Sequence, residues 1–296
     1  MSRRIILKSG LCIGDHCVME MALHSLHMQF PKQYITAIDI PQKDLFDFHP
    51  LISRSNSGDV IEMQYPLVHK SNQIANSFVA GYIDYLGQKL DIPLKLQVNK
   101  PHLYLNEEEK KKYKELGKYW VAVCGGKSDY ITKILPHGHL QDVVNHFIGK
   151  IQFVQPIKKE HIHYPLKNVK VISKLSTRDL LSLIYNSEGV VCPVTAHQHI
   201  AAAFDKPCIC IGGGREPVSW VMQYKFQYYL HSVGTLSCCK DKGCWKSRVI
   251  KINDNQKHDN SLCEFPTFYD DQWVSKCLTQ IKPIEIISLM ERISTK

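Results

Sequence analysis

Residues 189–217 read GVVCPVTAHQHIAAAFDKPCICIGGGREP, and this stretch decides the predicted fold. The β-branched run Gly189–Cys192 predicts a buried strand. Thr195 is placed to cap a helix whose body is Ile200–Phe204. A second buried strand, Cys208–Ile211, then runs directly into a glycine loop. Strand, turn, helix and strand in this order predict a βαβ unit of a parallel sheet.

The glycine loop Gly212–Pro217 and the helix start beside it indicate a ligand pocket. In an open parallel sheet, ligands bind beyond the carboxyl ends of the strands. Helix N-termini and glycine loops there leave backbone N–H groups free for phosphate. With Arg215 in the loop, the stretch predicts a site for a phosphorylated ligand. An ordinary βαβ unit with a tight turn is an equally good interpretation of these residues alone.

The composition is that of a globular protein. The 296 residues are 44% hydrophobic and 22% charged, and the length suits two domains of ordinary size. The net charge is +9, but the densest run, Glu107–Lys118, mixes both signs as a solvated helix does. We therefore expect no nucleic-acid partner, and the basic charge suits an anionic substrate or a position peripheral to a membrane. With no signal-peptide pattern and no apolar run of about 20 residues, we expect a soluble, cytoplasmic protein.

Strands and helices alternate along the chain, which predicts parallel sheets covered by helices. The first half includes a long amphipathic helix over Ser71–Leu90. A charged helix over Asn106–Lys118 marks the expected boundary, and the strand Tyr119–Cys124 opens a second series. We therefore predict two Rossmann-like domains, residues 1–112 and residues 113–296.

Asp15 lies at the start of the first predicted helix, in Gly14-Asp15-His16. Asp is among the best N-caps, so a capping role alone accounts for it. The functional interpretation is a general base at the carboxyl edge of the first sheet, facing the cleft between the domains. Glu20 is a second carboxylate on the same helix, and we expect it at the protein surface.

Four segments together resemble one known family. They are Ile5–Pro31 with its Gly14-Asp15 turn, Tyr119–Pro136 (YWVAVCGGKSDYITKILP), Val191–Pro217, and Trp245–Arg248 after paired cysteines. In this order they resemble the family-nine glycosyltransferases, the ADP-heptose:lipopolysaccharide heptosyltransferases, in their cysteine-bearing branch. The likeness covers nearly the whole chain.

The resemblance implies the α/β fold called GT-B, in which two Rossmann-like domains with parallel sheets face each other. The acceptor binds the first domain and the nucleotide sugar binds the second. The family inverts the anomeric centre without a catalytic metal, in lipopolysaccharide biosynthesis. By resemblance, Asp15 is the catalytic base and Lys133 steadies the leaving diphosphate. Lys127 lies shortly before Lys133 in the chain and is a second candidate for that task. A carboxylate suits the side where a hydroxyl loses its proton, and a cation suits the side where negative charge builds.

The nucleotide-sugar contacts that we predict combine these segments. They are Gly125, Gly126, Lys127, Thr195, Ala196, His199, Gly213, Gly214, Arg215 and Glu216. Without the family likeness, Lys127 and Lys133 fit solvated loop lysines. The chain departs from the family at Val194, where the family has the aspartate of Asp-Thr-Gly close to the sugar nucleotide. The donor is therefore left open, with ADP-heptose as one candidate. His197 and Gln198 are polar replacements, although we expect His197 to be exposed.

Five of the 11 cysteines fall within residues 238–277, in the order CC-x4-C-x18-C-x13-C. Four thiolates suit Zn or Fe in a tetrahedral site, and a cytosolic setting disfavours disulfides. No C-x2-C pair is present here, so unpaired thiols are the alternative. We predict a structural metal held by Cys239, Cys244, Cys263 and Cys277, with Cys238 as the spare, and no cofactor for catalysis.

The leading functional hypothesis is an inverting glycosyltransferase. It moves a sugar, with heptose as a candidate, from a nucleotide diphosphate donor to a hydroxyl of a glycan or glycolipid. A sugar-nucleotide epimerase or hydrolase on the same fold needs the same pocket and no acceptor. A non-catalytic nucleotide- or glycan-binding protein is the third hypothesis, because Val194 replaces the family aspartate. Acceptor dependence separates the first two, and the presence of turnover separates both from the third.

Overall fold

The computed structural model describes residues 2–55, 57–63, 77–158, 161–221 and 224–294. Its strands are β1 (Arg3–Lys8), β2 (Tyr34–Asp39), β3 (Asp59–Glu62), β4 (Tyr119–Ala122), β5 (Gly126–Lys127), β6 (Gln152–Ile157), β7 (His161–Ile162), β8 (Lys170–Ser173), β9 (Gly189–Pro193), β10 (Cys208–Gly213), β11 (Gln227–His231), β12 (Pro266–Tyr269) and β13 (Gln272–Ser275). Its α-helices are α1 (Ile13–Gln29), α2 (Phe78–Leu90), α3 (Glu107–Lys111), α4 (His137–His146), α5 (Thr177–Asn186), α6 (Ala196–Ala203), α7 (Val218–Val221), α8 (Lys276–Thr279) and α9 (Pro283–Ser294).

The first sheet is small and parallel, with the strand order β2-β1-β3. Ile5 and Leu7 of its central strand are fully buried. α1 is buried continuously from His16 to Leu23, because it packs against both α2 and α6. A surface helix keeps a polar face, so this all-round burial marks α1 as a central element of the molecule.

α2 begins at Phe78, where the Ser77 hydroxyl accepts a hydrogen bond from the Ala80 N–H (3.4 Å). It ends where Asp91 takes a left-handed backbone conformation. This helix confirms the described part of the predicted helix over Ser71–Leu90. Residues 71–76 of that prediction lie outside the described residues.

The second sheet is parallel throughout, with the strand order β11-β10-β9-β4-β6-β8. The buried strands predicted at the centre of this sheet are confirmed as β9 and β10. Successive residues of β9 face opposite sides of the sheet. Val190 and Cys192 join the core that contains α5 and α6, and Val191 joins the core of α4 and α9.

One hydrophobic core crosses from the second sheet into the first half of the chain, through the contact between α1 and α6. Arg178 on α5 adds a polar link. Its guanidinium donates to the Glu109 carboxylate (2.8 Å) and to the Tyr104 carbonyl (2.7 Å). The two halves are thus joined by apolar and ionic contacts, while the division between residues 112 and 113 stays a prediction.

The charged helix predicted over Asn106–Lys118 is shorter than expected. α3 stops at Lys111, and Tyr113 takes a left-handed backbone conformation (φ 72°) before a 3-10 turn at Lys114–Leu116. The reason is that α3 has no buried face, so packing does not extend it beyond its capping box at Asn106.

The chain closes with the antiparallel hairpin β12–β13 and with α9. The apolar stripe predicted for α9 is confirmed, because Ile286, Ile287 and Met290 are buried against the second sheet's core. In the described part of the chain, no helix has the length and apolar character that crossing a membrane requires.

Candidate active site

The starts of α1 and α6 meet where the two halves of the chain are in contact. A Cβ at Gly14 would lie 3.1 Å from His199 Cδ2 and 3.4 Å from Ala196 Cα. A side chain at position 14 would therefore push the two helix starts apart. Helix starts carry unpaired N–H groups and partial positive charge, so this junction favours an anion.

Asp15 is the third residue of α1, which corrects the predicted N-cap position. Its carboxylate accepts a hydrogen bond from the backbone N–H of Cys12, the actual N-cap (2.9 Å). Burial raises the pKa of Asp15 to about 6, although the Cys12 N–H and the charges of Lys133 and Lys127 lower it in part. A carboxyl group with this pKa is ionised at neutral pH and suited to accept a proton.

Lys127 reaches the same junction from β5. Its Nζ lies 3.1 Å from the Cys12 Sγ. β5 pairs with β7, and a Cβ at Gly125 would lie only 1.9 Å from the Ile162 carbonyl oxygen. Gly126 lies beside the N-cap residue of α6. Gly125 thus allows the close backbone approach that brings Lys127 to the helix starts.

Lys133 lies at the end of a 3-10 segment, Ser128–Lys133. Its Nζ is 2.8 Å from the Glu216 carboxylate and donates to the Val194 carbonyl (3.1 Å). Burial lowers the pKa of Lys133, an effect that Glu216 opposes and Arg215 reinforces. The side chain is still 24% exposed, so the ammonium group can meet a ligand.

The glycine loop after β10 is packed inside the protein. Gly213 has a positive φ (58°), and Cβ atoms at Gly212 and Gly214 would lie 1.7 Å from the Tyr229 hydroxyl and 2.6 Å from the Cys239 Sγ. Glycine is therefore required here by close packing. The predicted contact of Gly213 and Gly214 with a nucleotide sugar stays a prediction.

Arg215 and Glu216 form a buried ion pair. The Arg215 guanidinium lies over the rings of Tyr130 (5.1 Å) and Trp245 (5.7 Å). The Glu216 Oε1 contacts both Arg215 and Lys133, whereas its Oε2 is buried without a hydrogen-bond partner among the described residues. This oxygen is therefore an unsatisfied buried acceptor beside Lys133.

α6 carries two histidines that burial keeps neutral. The His199 Nδ1 lies 2.6 Å from the Tyr224 hydroxyl. Burial, assisted by the charge of Lys133, lowers the pKa of His199 to about 3. His197 is half-buried, not exposed as expected, and burial lowers its pKa to about 3 as well. Neither histidine supplies a positive charge at neutral pH.

The structure thus brings Asp15, Lys127 and Lys133 to the start of α6, where Ala196 is the first residue. Thr195 is the N-cap as predicted, but its hydroxyl donates to the Pro193 carbonyl (3.2 Å) and caps no helix N–H. Cys12 was not anticipated. Its spacing from Asp15 is that of a capping box, and a cysteine at the N-cap hides that signal.

Glu20 is fully buried, which corrects the surface position expected for it. Its Oε1 accepts hydrogen bonds from the His24 Nδ1 (3.0 Å) and the His49 Nε2 (2.9 Å). Its Oε2 accepts from the His102 backbone N–H (2.7 Å). The spacing of four residues relates only His24 to Glu20, and folding brings the other two histidines there.

Three of the five late cysteines, Cys239, Cys244 and Cys277, contact the buried glycine loop. Cys239 and Cys277 are buried, and Cys238, Cys244 and Cys263 are half-buried. Burial, with Cys244, Cys263 and Cys239 nearby, raises the pKa of Cys277 to about 12. No three of these sulfurs lie within 4.8 Å of one another, whereas Zn–S bonds of about 2.3 Å place tetrahedral sulfurs about 3.8 Å apart. The thiols as placed do not form a closed metal site, and the metal stays a prediction.

Comparisons with known proteins agree with this architecture. The family model for glycosyltransferase family 9 (heptosyltransferase) matches residues 57–248. No curated protein sequence matches the chain. A family 9 glycosyl transferase from Veillonella parvula superimposes with a TM-score of 0.65 at 12% identity, over 98% of this chain and 97% of that one.

Two other solved structures are similar. The E. coli heptosyltransferase WaaC with ADP has a TM-score of 0.59 at 14% identity, over 78% of this chain and 94% of that one. The dodecameric iron-containing heptosyltransferase TibC of enterotoxigenic E. coli, in complex with ADP-D-β-D-heptose, has a TM-score of 0.64 at 12% identity. The match covers 100% of this chain and 78% of that one. These identities are low and show the fold alone, which is GT-B as predicted.

Proposed function

Because the chain belongs to glycosyltransferase family 9, the heptosyltransferase family, we propose that it moves a sugar from a nucleotide diphosphate to a glycan or glycolipid hydroxyl with inversion. The observation that carries the proposal is the meeting of Asp15 with Lys127 and Lys133 at the paired starts of α1 and α6. One carboxylate and two ammonium groups in one cleft are the charges that this reaction needs.

In the proposed step, Asp15 accepts the proton of the acceptor hydroxyl while the hydroxyl oxygen attacks the anomeric carbon. The bond from that carbon to the diphosphate oxygen breaks, and its electron pair stays on the diphosphate. Lys133, Lys127 and the free N–H groups at the start of α6 stabilise this charge. Attack opposite the leaving group inverts the anomeric centre. Because these groups supply positive charge, the proposed step uses no catalytic metal.

ADP-heptose is the first donor to test, because WaaC and TibC are seen with ADP and with ADP-heptose. Val194 is the reason to test other sugars as well. Its side chain is buried and apolar, and its backbone carbonyl accepts a hydrogen bond from Lys133.

We propose a glycolipid acceptor of the kind used in lipopolysaccharide biosynthesis, met by a cytoplasmic protein at the membrane surface. The net charge of +9 supports this, because a basic protein is attracted to anionic headgroups and anionic glycolipids. Flotation of the protein with anionic and with neutral vesicles tests the proposed membrane association. Equal binding to both kinds of vesicle would contradict an attraction to anionic headgroups.

The proposed function is tested by incubating the purified protein with ADP-heptose and other nucleotide sugars, with and without a glycolipid acceptor. We expect nucleotide release that depends on the acceptor and a product of inverted configuration by NMR. A free isomerised or hydrolysed sugar without acceptor would favour the epimerase or hydrolase. Tight nucleotide binding without turnover of any donor would favour the binding protein that Val194 suggests.

A further inference from the structure

Glu20 carries a buried carboxylate that no lysine or arginine of the described residues neutralises. Its side chain is 0% exposed, and its ion-pair partners are His24, His49 and His102. Burying a carboxylate is strongly unfavourable unless its charge is paired. The described partners of this carboxylate are thus histidines alone, and a cation bound among them would complete the cluster.

The ligand atoms of this cluster converge. One atom from each of Glu20, His24 and His102 lies within 4.8 Å of the other two. The His24 Nδ1 is 3.0 Å from the Glu20 Oε1, and the His102 Nδ1 is 3.7 Å from the Oε2. The His102 Nδ1 is buried and has no hydrogen-bond partner in the described structure. Ligands about 2.0–2.1 Å from a tetrahedral Zn²⁺ lie about 3.3 Å apart, and the His24 and His102 nitrogens approach that spacing, each from a different oxygen of Glu20.

His49 contacts the Glu20 carboxylate from the buried side and is placed to orient it, without itself being one of the three ligands. Its Nδ1 accepts the Leu51 backbone N–H (3.3 Å), so its proton is on Nε2 and is donated to the Glu20 Oε1 (2.9 Å). Such outer hydrogen bonds fix the orientation of a ligating carboxylate. His49 is fully buried, whereas His24 and His102 are 16% and 29% exposed. An ion can therefore enter from the side of His24 and His102.

We propose that Glu20, His24 and His102 bind a divalent metal ion of the type that prefers nitrogen and oxygen ligands, such as Zn²⁺. The ion takes the place of the proton between His24 and Glu20, and water fills its fourth position. It joins α1, which carries Asp15, to the segment between α2 and α3 that leads into the second half of the chain. This site uses none of the cysteines, and it is independent of the proposed function.

Titration of the full chain with Co²⁺ tests the site, because nitrogen and oxygen ligands give d–d absorption without a thiolate charge-transfer band. We expect one equivalent with that spectrum. His24→Gln and His102→Gln should weaken its binding by at least about 100-fold, and His49→Gln by roughly 10- to 100-fold. His146→Gln is the matched control, because His146 is an exposed histidine paired with a single glutamate, and it should change nothing.

A wild-type protein without the nitrogen–oxygen spectrum would overturn the proposal, and so would equal Co²⁺ affinity of the wild type and the His24 and His102 variants. X-ray absorption of the wild-type Co²⁺ complex gives an answer that needs no variant, should one of them fail to fold. A population of Co²⁺ with only nitrogen and oxygen neighbours supports the site. Sulfur neighbours around all of the bound Co²⁺ contradict it.

Discussion

Asp15 is held in the protein at a cost to stability. Burial raises its pKa from 3.8 to about 6, so the folded chain binds this proton more tightly than the unfolded chain does. The free energy of unfolding therefore falls as the pH rises from about 4 to about 6, because the buried carboxyl group loses its proton over this range. We expect Asp15→Asn to raise the free energy of unfolding by about 3 kcal/mol at pH 7 and by little at pH 4. Urea unfolding at both pH values measures this, and an equal change at both would contradict it.

Lys133 is the cation with the most direct proposed role. If it stabilises the leaving diphosphate, Lys133→Ala should lower kcat by ~10²–10³, the typical effect of one preorganised donor. Steady-state kinetics, with nucleotide affinity measured separately, checks this. Lys150→Ala, which removes an exposed lysine, is the control and should be neutral. Unchanged kcat in Lys133→Ala would contradict this prediction, and Lys127 would then be the candidate for stabilising the leaving diphosphate.

At the scale of elements, the β5–β7 pair positions Lys127, and Gly125 makes it possible. A Cβ at Gly125 would lie 1.9 Å from the Ile162 backbone oxygen, and backbone cannot move away as a side chain end can. We expect Gly125→Ala to lower the free energy of unfolding by about 1–3 kcal/mol and to reduce turnover. Gly10→Ala, with nothing within 4 Å of its Cβ, should do neither. Denaturant unfolding and kinetics of both variants compare them, and equal behaviour would contradict the packing argument.

The cysteine segment around the glycine loop is the element whose metal is still a prediction. Elemental analysis of protein purified without chelator should find Zn or Fe, with a thiolate charge-transfer band after Co²⁺ substitution. Cys244→Ser should lower that band and the midpoint of thermal unfolding, because a metal cross-link stabilises such a segment. Cys238→Ser, the spare, and His24→Gln should retain the band. Freely titratable thiols at all five positions, without thiolate-bound metal, would contradict the prediction.

The sequence predicts the elements better than it predicts their contacts. β9, α6 and β10 are recognisable because apolar runs and breakers alternate within one short stretch. The length of α3 was wrong because charged residues form a helix only where packing or caps support it. The surroundings of Glu20 could not be predicted, since His49 and His102 lie 29 and 82 residues away in the chain. The resemblance predicts the roles of Asp15 and Lys133, which stay predictions, whereas only the structure shows that Cys12 contacts Asp15 and that Glu216 contacts Lys133.

At the scale of the whole molecule, the candidate site exists only where the two halves meet. Asp15 belongs to α1, and Lys127 and Lys133 follow β4 in the second half. The continuous core through α1 and α6 holds these groups together. We therefore propose that catalysis takes place at this junction, with the base on α1 and the two lysines in the second half of the chain.

The pH dependence of nucleotide release in the wild type and in Asp15→Asn tests this claim most directly. Asp15 accepts a proton only when ionised, so wild-type kcat should fall about tenfold per pH unit below about 6, the pKa of this carboxyl group. Asp15→Asn should lower kcat by at least ~100-fold and remove that pH dependence. Asp84→Asn, which changes an exposed carboxylate on α2, should match the wild type. A rate in Asp15→Asn equal to that of the wild type at pH 7 would contradict the account.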